Sequence, residues 1–159
     1  MRQLENLPVW NQEITKADCI IVDLDGTLCE VTNRSPYSHL GVEHDKPRMH
    51  VLYTVRALIS TYSFLDVFFL TGRNEKARQG TELWIKDNLG LSSYQYELLM
   101  RPIDDRRKDS IYKKEMYETY IKPDYNVMVV FEYRPQVIRE CWKPLNIPVF
   151  NCGIIDNDF

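Results

Sequence analysis

Two carboxylates follow an apolar run near the start of the chain, in the stretch CIIVDLDGTLCE at residues 19–30. Side chains two residues apart on an extended segment point the same way, so Asp23 and Asp25 can face one site. Gly26 directly behind them permits a sharp turn or a close backbone approach. Two crowded anions need a partner, and Mg²⁺ prefers hard oxygen ligands of this kind. An Asp-Gly turn with solvated acids is the plain alternative, and the motif alone favours neither.

Three further stretches place a hydroxyl, a cation and an acid after apolar runs. Thr71 begins TGR, and a hydroxyl with backbone N–H groups ahead of a helix can hold phosphate oxygens. Lys113 lies one helical turn after Asp109, where its ammonium can neutralise phosphate and carboxylate charge. Glu132, in EYR, supplies one more carboxylate for a metal. Each alone is ordinarily a helix cap, a surface lysine or a loop acid. Together at successive strand ends, they favour a site.

These side chains meet only if the apolar runs before them are neighbouring strands. The runs are rich in Val, Ile and Phe, which is typical of strands buried on both faces, and helical segments separate them. Gly90 is expected to cap the second helix, and Asp109 or Ser110 the third. Alternating strands and helices predict a parallel five-stranded sheet covered on both faces, a Rossmann-like α/β fold that binds ligands at the strands' carboxyl ends. The predicted strands are 19–24, 66–70, 96–100, 127–131 and 148–152, and the predicted helices are 48–60, 74–90, 109–121 and 135–142.

The composition is that of one globular domain, with 159 residues, 44% hydrophobic and 27% charged. A net charge of −3 argues against a general nucleic-acid-binding coat, although it allows a local basic groove. Cys19 and Cys141 lie in apolar segments, which is typical of reduced, buried thiols. Because the first 16 residues contain no apolar signal region and no stretch reaches transmembrane length, the sequence predicts a cytoplasmic protein with no membrane partner.

The motifs together resemble those of the haloacid dehalogenase (HAD) superfamily of phosphatases. DLDGTL is similar to the first motif, Thr71 to the second and Lys113 to the third, and Glu132 falls where the acidic fourth motif belongs. The stretches DLDGTLCEVTNRSPY, FFLTGR, LLMRP, RRKDSIYKKE, YRPQVIRECW and DNDF resemble, in order and spacing, the 3′-phosphatase domain of bacteriophage polynucleotide kinase-phosphatases over roughly 18–159. Residues 1–17 are then expected to pack on this domain as an N-terminal extension. No glycine begins a GxxxxGK[ST] loop, so the kinase half has no counterpart here.

The resemblance implies a Mg²⁺-dependent phosphatase that removes 3′-phosphates from DNA or RNA ends, in the cytoplasm of a bacterial or phage-infected cell. Asp23 would attack phosphorus to give a phospho-aspartate, and Asp25 would be the general acid and then the base. Thr71 and Lys113 would hold the phosphoryl oxygens. Mg²⁺ would be held by Asp23, the Asp25 backbone carbonyl and Glu132. The resemblance also implies that Thr27, Arg34 and Arg73 contact the substrate. Asp109 would contact the substrate and orient Lys113.

The fourth motif departs from the family, which has paired aspartates before an arginine where this chain has Glu132-Tyr133-Arg134. Glu132 carries its carboxylate one methylene further out, and Tyr133 replaces the second acid with a phenol. Mg²⁺ tolerates such changes of geometry poorly. Three hypotheses therefore stay open: an active polynucleotide 3′-phosphatase, a phosphatase of mononucleotides or other small phosphoesters, and a nucleic-acid-end binding module impaired in catalysis.

The short segment between Leu28 and the helix predicted at 48–60 leaves little room for a lid over the site. An open mouth suits a large substrate such as a nucleic-acid end. Tyr37, beside Arg34, is a candidate for contact with a base or a sugar. The choice between DNA and RNA, and between a monomer and a homo-oligomer, stays open at this point.

Overall fold

The computed structural model describes residues 13, 15–35 and 37–153. The predicted N-terminal extension and the closing DNDF stretch lie almost wholly outside this range. The main sheet has the spatial order β5-β4-β1-β6-β7, and every neighbouring pair in it is parallel, while β2 and β3 form a separate antiparallel ribbon. The strands are β1 Ala17–Val22, β2 Cys29–Glu30, β3 Lys46–Pro47, β4 Asp66–Asn74, β5 Glu97–Arg101, β6 Tyr125–Glu132 and β7 Val149–Asn151.

Four α-helices connect the strands of the main sheet. Two of them run on into π-helical turns, α3 into Tyr117–Ile121 and α4 into Ile138–Trp142, so the predicted extents 109–121 and 135–142 are confirmed. Gly90 ends α2 with a φ of 71°, which confirms its predicted role as a C-cap. The helices are α1 Met49–Thr61, α2 Arg78–Leu89, α3 Asp109–Met116 and α4 Pro135–Val137.

β1 sends alternate side chains to opposite faces of the sheet, so this one strand contributes to both halves of the core. Ile20 lies in a buried cluster with Val51 of α1 and Trp84 of α2. Ile21 lies in a second buried cluster on the other face, with Trp142 from the turn after α4. Burial on both faces explains the continuous apolar sequence of this strand. The predicted α/β fold, a parallel sheet with helices on both sides, is confirmed.

Two strand ends differ from the prediction where they approach the predicted site. β1 ends at Val22, two residues early, and the chain then turns with the Leu24 carbonyl accepting from the Thr27 N–H at 3.0 Å. β4 continues to Asn74, four residues late, with a register shift against β5 between Thr71 and Asn74. The TGR stretch therefore lies inside β4, and α2 begins only at Arg78.

The third helix also begins differently from the prediction. Lys108 holds the N-cap position, and no side chain makes a capping hydrogen bond there, so the assignment of the cap to Asp109 or Ser110 is wrong. Asp109 is instead the first helical residue. Its carboxylate accepts hydrogen bonds from Arg101 and Arg134 across the strand ends, and charged partners of this kind outweigh a local cap.

The remaining described features agree with a globular domain. The described cysteines, Cys19, Cys29, Cys141 and Cys152, are all free and buried, which confirms the prediction of reduced thiols. Among the residues that the structure describes, no helix combines the length and apolarity needed to cross a membrane.

Two buried tryptophans provide a matched test of one hydrogen bond in this core. Trp84 Nε1 donates to the Asp45 carbonyl at 2.7 Å, whereas Trp142 Nε1 has no partner among the described residues. Both indoles are fully buried. We expect Trp84→Phe to lower the free energy of unfolding by about 1–3 kcal/mol more than Trp142→Phe, because only the first leaves a buried carbonyl unpaired. Urea unfolding followed by circular dichroism measures both, and equal losses would contradict the expectation.

Candidate active site

A cavity of about 750 Å³ opens at the carboxyl ends of β1, β4 and β6. This is the edge at which parallel α/β sheets place their ligands. Thr27 and Arg34 lie behind the cavity lining and contact it through Asp23 and Asp25. The other predicted site residues line the cavity itself: Asp23, Asp25, Thr71, Arg73, Asp109, Lys113 and Glu132.

One buried lysine lies between two buried carboxylates on the wall of this cavity. Lys113 Nζ is 2.8 Å from Asp23 Oδ1 and 2.7 Å from Glu132 Oε2. The Thr27 hydroxyl donates to Asp23 Oδ2 at 2.8 Å. Charges withdrawn from water are costly unless they are paired, and this one ammonium pairs with both acids. The position of Lys113 on the first turn and a half of α3 brings it to this point, as its spacing from Asp109 predicts.

The protonation of this group follows from burial and charge. Burial, and next the charge of Glu132, raise the pKa of Asp23 to about 7, although Lys113 and Thr27 act in the opposite direction. Burial alone would lower the pKa of Lys113, but the charges of Asp23 and Glu132 outweigh it and raise that pKa. Lys113 is therefore an ammonium at neutral pH, directed at the carboxylate predicted to attack phosphorus.

A second group of charges surrounds Asp25. Arg73 donates to its carboxylate through Nη2 at 2.7 Å and Nε at 3.1 Å, and Arg34 Nη2 donates at 3.1 Å. Both arginines also bind the carboxylate of Asp45, through Arg73 Nη2 at 2.8 Å and Arg34 Nε at 2.9 Å. The two arginines assigned to the substrate are thus oriented by two aspartates.

Asp45 is the functional residue that the sequence analysis missed. Its side chain is fully buried, and it pairs with Arg34 and Arg73. In the sequence it stands in EHDKPR, where nothing distinguishes it from a solvated loop acid. Its partners are 11 and 28 residues away along the chain, so only the folded loop makes its role visible.

The arginines change the acidity of Asp25. Burial alone would raise the pKa of this carboxyl, but hydrogen bonds and charge from Arg73 and the charge of Arg34 outweigh burial and lower the pKa. Asp25 is consequently a carboxylate at neutral pH in this arrangement. To act as a general acid it must gain a proton, which requires the arginines to be drawn away from it.

The side chains of Asp25, Cys29 and Asp45 place their ligand atoms within 4.8 Å of one another, a spacing that could hold a metal ion. Arginine groups occupy this cluster instead. Arg73 Nη2 lies 3.2 Å from Cys29 Sγ and also contacts both carboxylates. Its guanidinium already neutralises the acids, so the cluster does not carry the charge that would attract a further cation.

Asp109 belongs to a third group of charges, with Arg101 and Arg134 as its hydrogen-bond donors. The contact with Lys113 that the resemblance implies is not among the hydrogen bonds of the described residues. Gly72 permits this arrangement, because a Cβ there would lie 2.9 Å from Asp109 Oδ1. Arg134 lines the cavity with a side chain that is 43% exposed, and the sequence analysis did not single out this cation.

Thr71 is fully buried at the cavity wall and accepts the backbone N–H of Arg73 at 3.2 Å. Its hydroxyl proton stays available to a phosphoryl oxygen. Tyr37 also lines the cavity and is 98% exposed. Arg106 and Arg107 are exposed lining residues, and Arg107 is paired with Asp105 and Glu115. The cavity therefore combines buried polar side chains with an exposed tyrosine and exposed arginines.

The predicted Mg²⁺ ligands do not fit an octahedral oxygen site in this arrangement. Glu132 Oε2 accepts from Lys113, and Oε1 accepts the backbone N–H groups of Tyr133 and Arg134 at 3.1 and 3.0 Å. Oε1 thus has both lone pairs occupied, and the remaining lone pair of Oε2 lies beside an ammonium that would repel a metal ion. A methyl group at Gly26 would lie 2.5 Å from Tyr133 Cζ, so the tyrosine ring packs on the loop that follows Asp25.

The architecture of this chain is shared with a solved phosphatase. The solved class C acid phosphatase from Bacillus anthracis, with tungstate bound, shares the architecture with a TM-score of 0.54 over 75% of this chain and 52% of its own, at 12% identity. The sequence identifies the family to which this chain belongs. Residues 17–159 match the family described as the polynucleotide kinase PNKP phosphatase domain, and the chain belongs to that family.

Relatives of known name support the same assignment. A putative bifunctional polynucleotide kinase/RNA ligase of Autographa californica nuclear polyhedrosis virus is 40% identical over 134 residues, which are 83% of this chain and 19% of that protein. A chain in the structure of the Pnkp1/Rnl/Hen1 RNA repair complex superposes with a TM-score of 0.79 at 31% identity, over 92% of this chain and 46% of its own. A chain in a second structure of the Pnkp1/Rnl/Hen1 complex superposes with a TM-score of 0.76 at 30% identity. The match covers 94% of this chain and 50% of that chain. This chain thus spans about a fifth of the viral relative and about half of the others.

Proposed function

We propose that this domain removes the phosphate from 3′-phosphorylated nucleic-acid ends through a phospho-aspartate on Asp23. The observation that carries the proposal is the pairing of Asp23 Oδ1 with the buried Lys113 ammonium at 2.8 Å, inside a cavity at the sheet edge. A carboxylate can attack phosphorus when nearby cations offset the charge of the phosphate. Lys113 and the exposed Arg134 supply that charge here.

The proposed reaction has two displacements. Asp23 attacks phosphorus, the bond from phosphorus to the 3′-oxygen breaks, and Asp25 gives its proton to the leaving oxygen. Water then attacks the phosphoryl group, Asp25 takes the proton, and inorganic phosphate leaves with Asp23 regenerated. Asp25 can hold a proton for the first step because an entering phosphate dianion competes for Arg73, which lines the cavity. Withdrawal of Arg73 removes the main cause of the lowered pKa of Asp25.

The substrate class rests on the family and on the cavity mouth. The viral relative is named as a putative polynucleotide kinase/RNA ligase, and a structural relative is a chain in an RNA repair complex. An exposed Tyr37 can stack on a base, while Arg106 and Arg107 can meet backbone phosphates. These groups favour a polynucleotide end over a mononucleotide. We extend the proposal to end repair, where the 3′-hydroxyl product would suit a ligase acting next.

Phosphate release from a 3′-phosphorylated oligonucleotide tests the hydrolysis. We expect Asp23→Asn to lower the rate by about 10³-fold or more, because the nucleophile is lost. Asp87→Asn, at an exposed position on α2, is the matched control and should leave the rate unchanged. DNA, RNA and mononucleotide substrates are compared in Mg²⁺ and in EDTA. Release by the unsubstituted chain no faster than by Asp23→Asn would sink the proposal, and a preference for mononucleotides would favour the small-phosphoester alternative.

A second candidate function has its own supporting observation. The packing of Tyr133 on Gly26 and the hydrogen bonds of the Glu132 oxygens favour an end-binding module impaired in turnover. Such a module would bind a 3′-phosphorylated oligonucleotide more tightly than its 3′-hydroxyl counterpart and release no phosphate. The release assay above therefore separates the two candidates.

A further inference from the structure

The fourth motif supports an inference that rests on the proposed function. Phosphatases that this chain resembles use Mg²⁺ between the nucleophile and the acidic fourth motif. We infer that this cavity binds the phosphorylated end without a divalent cation, with the Lys113 ammonium paired to both carboxylates that would otherwise hold Mg²⁺. Three groups of contacts carry this inference.

The first is the hydrogen bonding of Glu132, which is 1% exposed. One oxygen accepts from Lys113 at 2.7 Å, and the other accepts two backbone N–H groups at 3.1 and 3.0 Å. The two N–H groups occupy both lone pairs of Oε1, while Oε2 keeps one lone pair beside the Lys113 ammonium. A divalent cation ligated there would lie next to that ammonium, and the repulsion between the two positive charges opposes its binding.

The second is the side chain that stands where the family has its second acid. Ring atoms Cζ, Cε1 and Cδ1 of Tyr133 would lie 2.5–2.7 Å from a Cβ at Gly26, whose φ is +81°. The ring therefore fills the space against the loop next to Asp25, whose carbonyl the resemblance assigns to the metal. Arg134 Nη2 donates to the Tyr133 hydroxyl at 3.2 Å, and its guanidinium lies 5.7 Å from the ring centroid. A phenol thus stands where the family has its second carboxylate, and it contacts the arginine that the family motif also contains.

The third group of contacts consists of the ion pairs that the carboxylates of the site make with described residues. Asp23 and Glu132 share the Lys113 ammonium, and Asp25 is paired with Arg73. A divalent cation gains most where carboxylates lack partners, and these carboxylates have them. Arg134, whose side chain is 43% exposed and is paired with Asp109, is a cation that a phosphate dianion in the cavity can meet directly.

The inference is tested on the full chain by two direct binding measurements. Fluorescence anisotropy gives the Kd for a labelled 3′-phosphorylated oligonucleotide in EDTA and in Mg²⁺, with the 3′-hydroxyl oligonucleotide as reference. We expect the Kd to differ by less than about twofold between the two buffers, and a tightening of about tenfold in Mg²⁺ would overturn the inference. Electron paramagnetic resonance of added Mn²⁺ should show no bound ion, whereas one tightly bound Mn²⁺ per chain would overturn it.

The outcomes separate this inference from the proposed function. If oligonucleotides with and without the 3′-phosphate bind alike in both buffers, the proposed function fails, while the Mn²⁺ spectrum still decides the metal question. If the 3′-phosphate is recognised only in Mg²⁺, the inference fails and the proposed function stands.

Tyr133→Asp restores the second acid of the family motif and should create a Mn²⁺ site that the unsubstituted chain lacks. Tyr94→Asp, at a residue 87% exposed and outside the cavity lining, is the matched control and should bind no Mn²⁺. Circular dichroism checks that both variants are folded. A folded Tyr133→Asp variant without a Mn²⁺ site would contradict the assignment of Tyr133 as the group that excludes the ion. If that variant does not fold, the Mn²⁺ titration of the unsubstituted chain still decides the inference.

Discussion

Replacing Lys113 with Met should lower the free energy of unfolding at pH 7 by about 3–5 kcal/mol, since breaking a buried ion pair leaves its partners uncompensated. The partners are Asp23 and Glu132, at 2.8 and 2.7 Å, and all three side chains are at most 7% exposed. The loss should shrink toward low pH, because burial already raises the pKa of Asp23 to about 7, and protonation of this carboxyl removes one of the two uncompensated charges. Urea unfolding at pH 7 and at pH 5 measures both effects.

Two control variants isolate the charge of Lys113 from its volume. Lys114→Met, at the next residue of α3, has no ion pair within the described residues and should change stability by about 0.5 kcal/mol or less. The double variant adds Glu132→Gln to Lys113→Met and so removes one of the two carboxylates left without a cation. The glutamine oxygen can still accept the N–H groups of Tyr133 and Arg134. It should recover most of the lost stability. If Lys113→Met costs no more than Lys114→Met, the buried lysine is not compensating the acids.

The same substitution should slow phosphate release by about 10²–10³-fold, the usual effect of removing one donor that stabilises charge in a transition state. The double variant that recovers stability should not recover this rate. Comparing the two readouts distinguishes a lysine that only supports the fold from one that also acts on the phosphoryl group.

The main architecture and the convergence of site residues were predictable because both follow from simple periodicities. Buried parallel strands read as continuous apolar runs, and the carboxyl ends of such strands share one edge of the sheet. Asp23, Thr71, Lys113 and Glu132 therefore had to lie near one another once the strands were recognised. The structure brings them to one cavity wall.

Other features of the site depend on contacts that no local pattern encodes. β4 runs four residues past its apolar stretch because β5 continues to pair with it after a register shift. Asp109 does not cap its helix, because two arginines from other segments bind its carboxylate. The phenol of Tyr133 was visible as a departure from the family motif, but its packing on Gly26 is a property of two loops brought together by folding.

Asp45 gives the second large expected effect. Asp45→Asn keeps the size of a fully buried side chain but removes the charge that pairs with Arg34 and Arg73. We expect the free energy of unfolding at pH 7 to fall by about 3–5 kcal/mol, because two buried guanidinium groups then share only Asp25. The Trp84 hydrogen bond goes to the Asp45 backbone carbonyl, so it does not depend on the substituted carboxylate. Urea unfolding measures the loss, with Asp124→Asn at an exposed position as the matched control.

A double-mutant cycle identifies the source of this loss. Arg34→Met removes one of the two guanidinium groups, so its combination with Asp45→Asn should cost clearly less than the sum of the single variants. Phosphate release should also fall in Asp45→Asn, since both arginines then bind Asp25 alone and hold its proton affinity lower still. Additive losses of stability would mean that Asp45 does not act through its arginines. A rate equal to that of the Asp124→Asn control would mean that Asp45 does not position the acid of the proposed reaction.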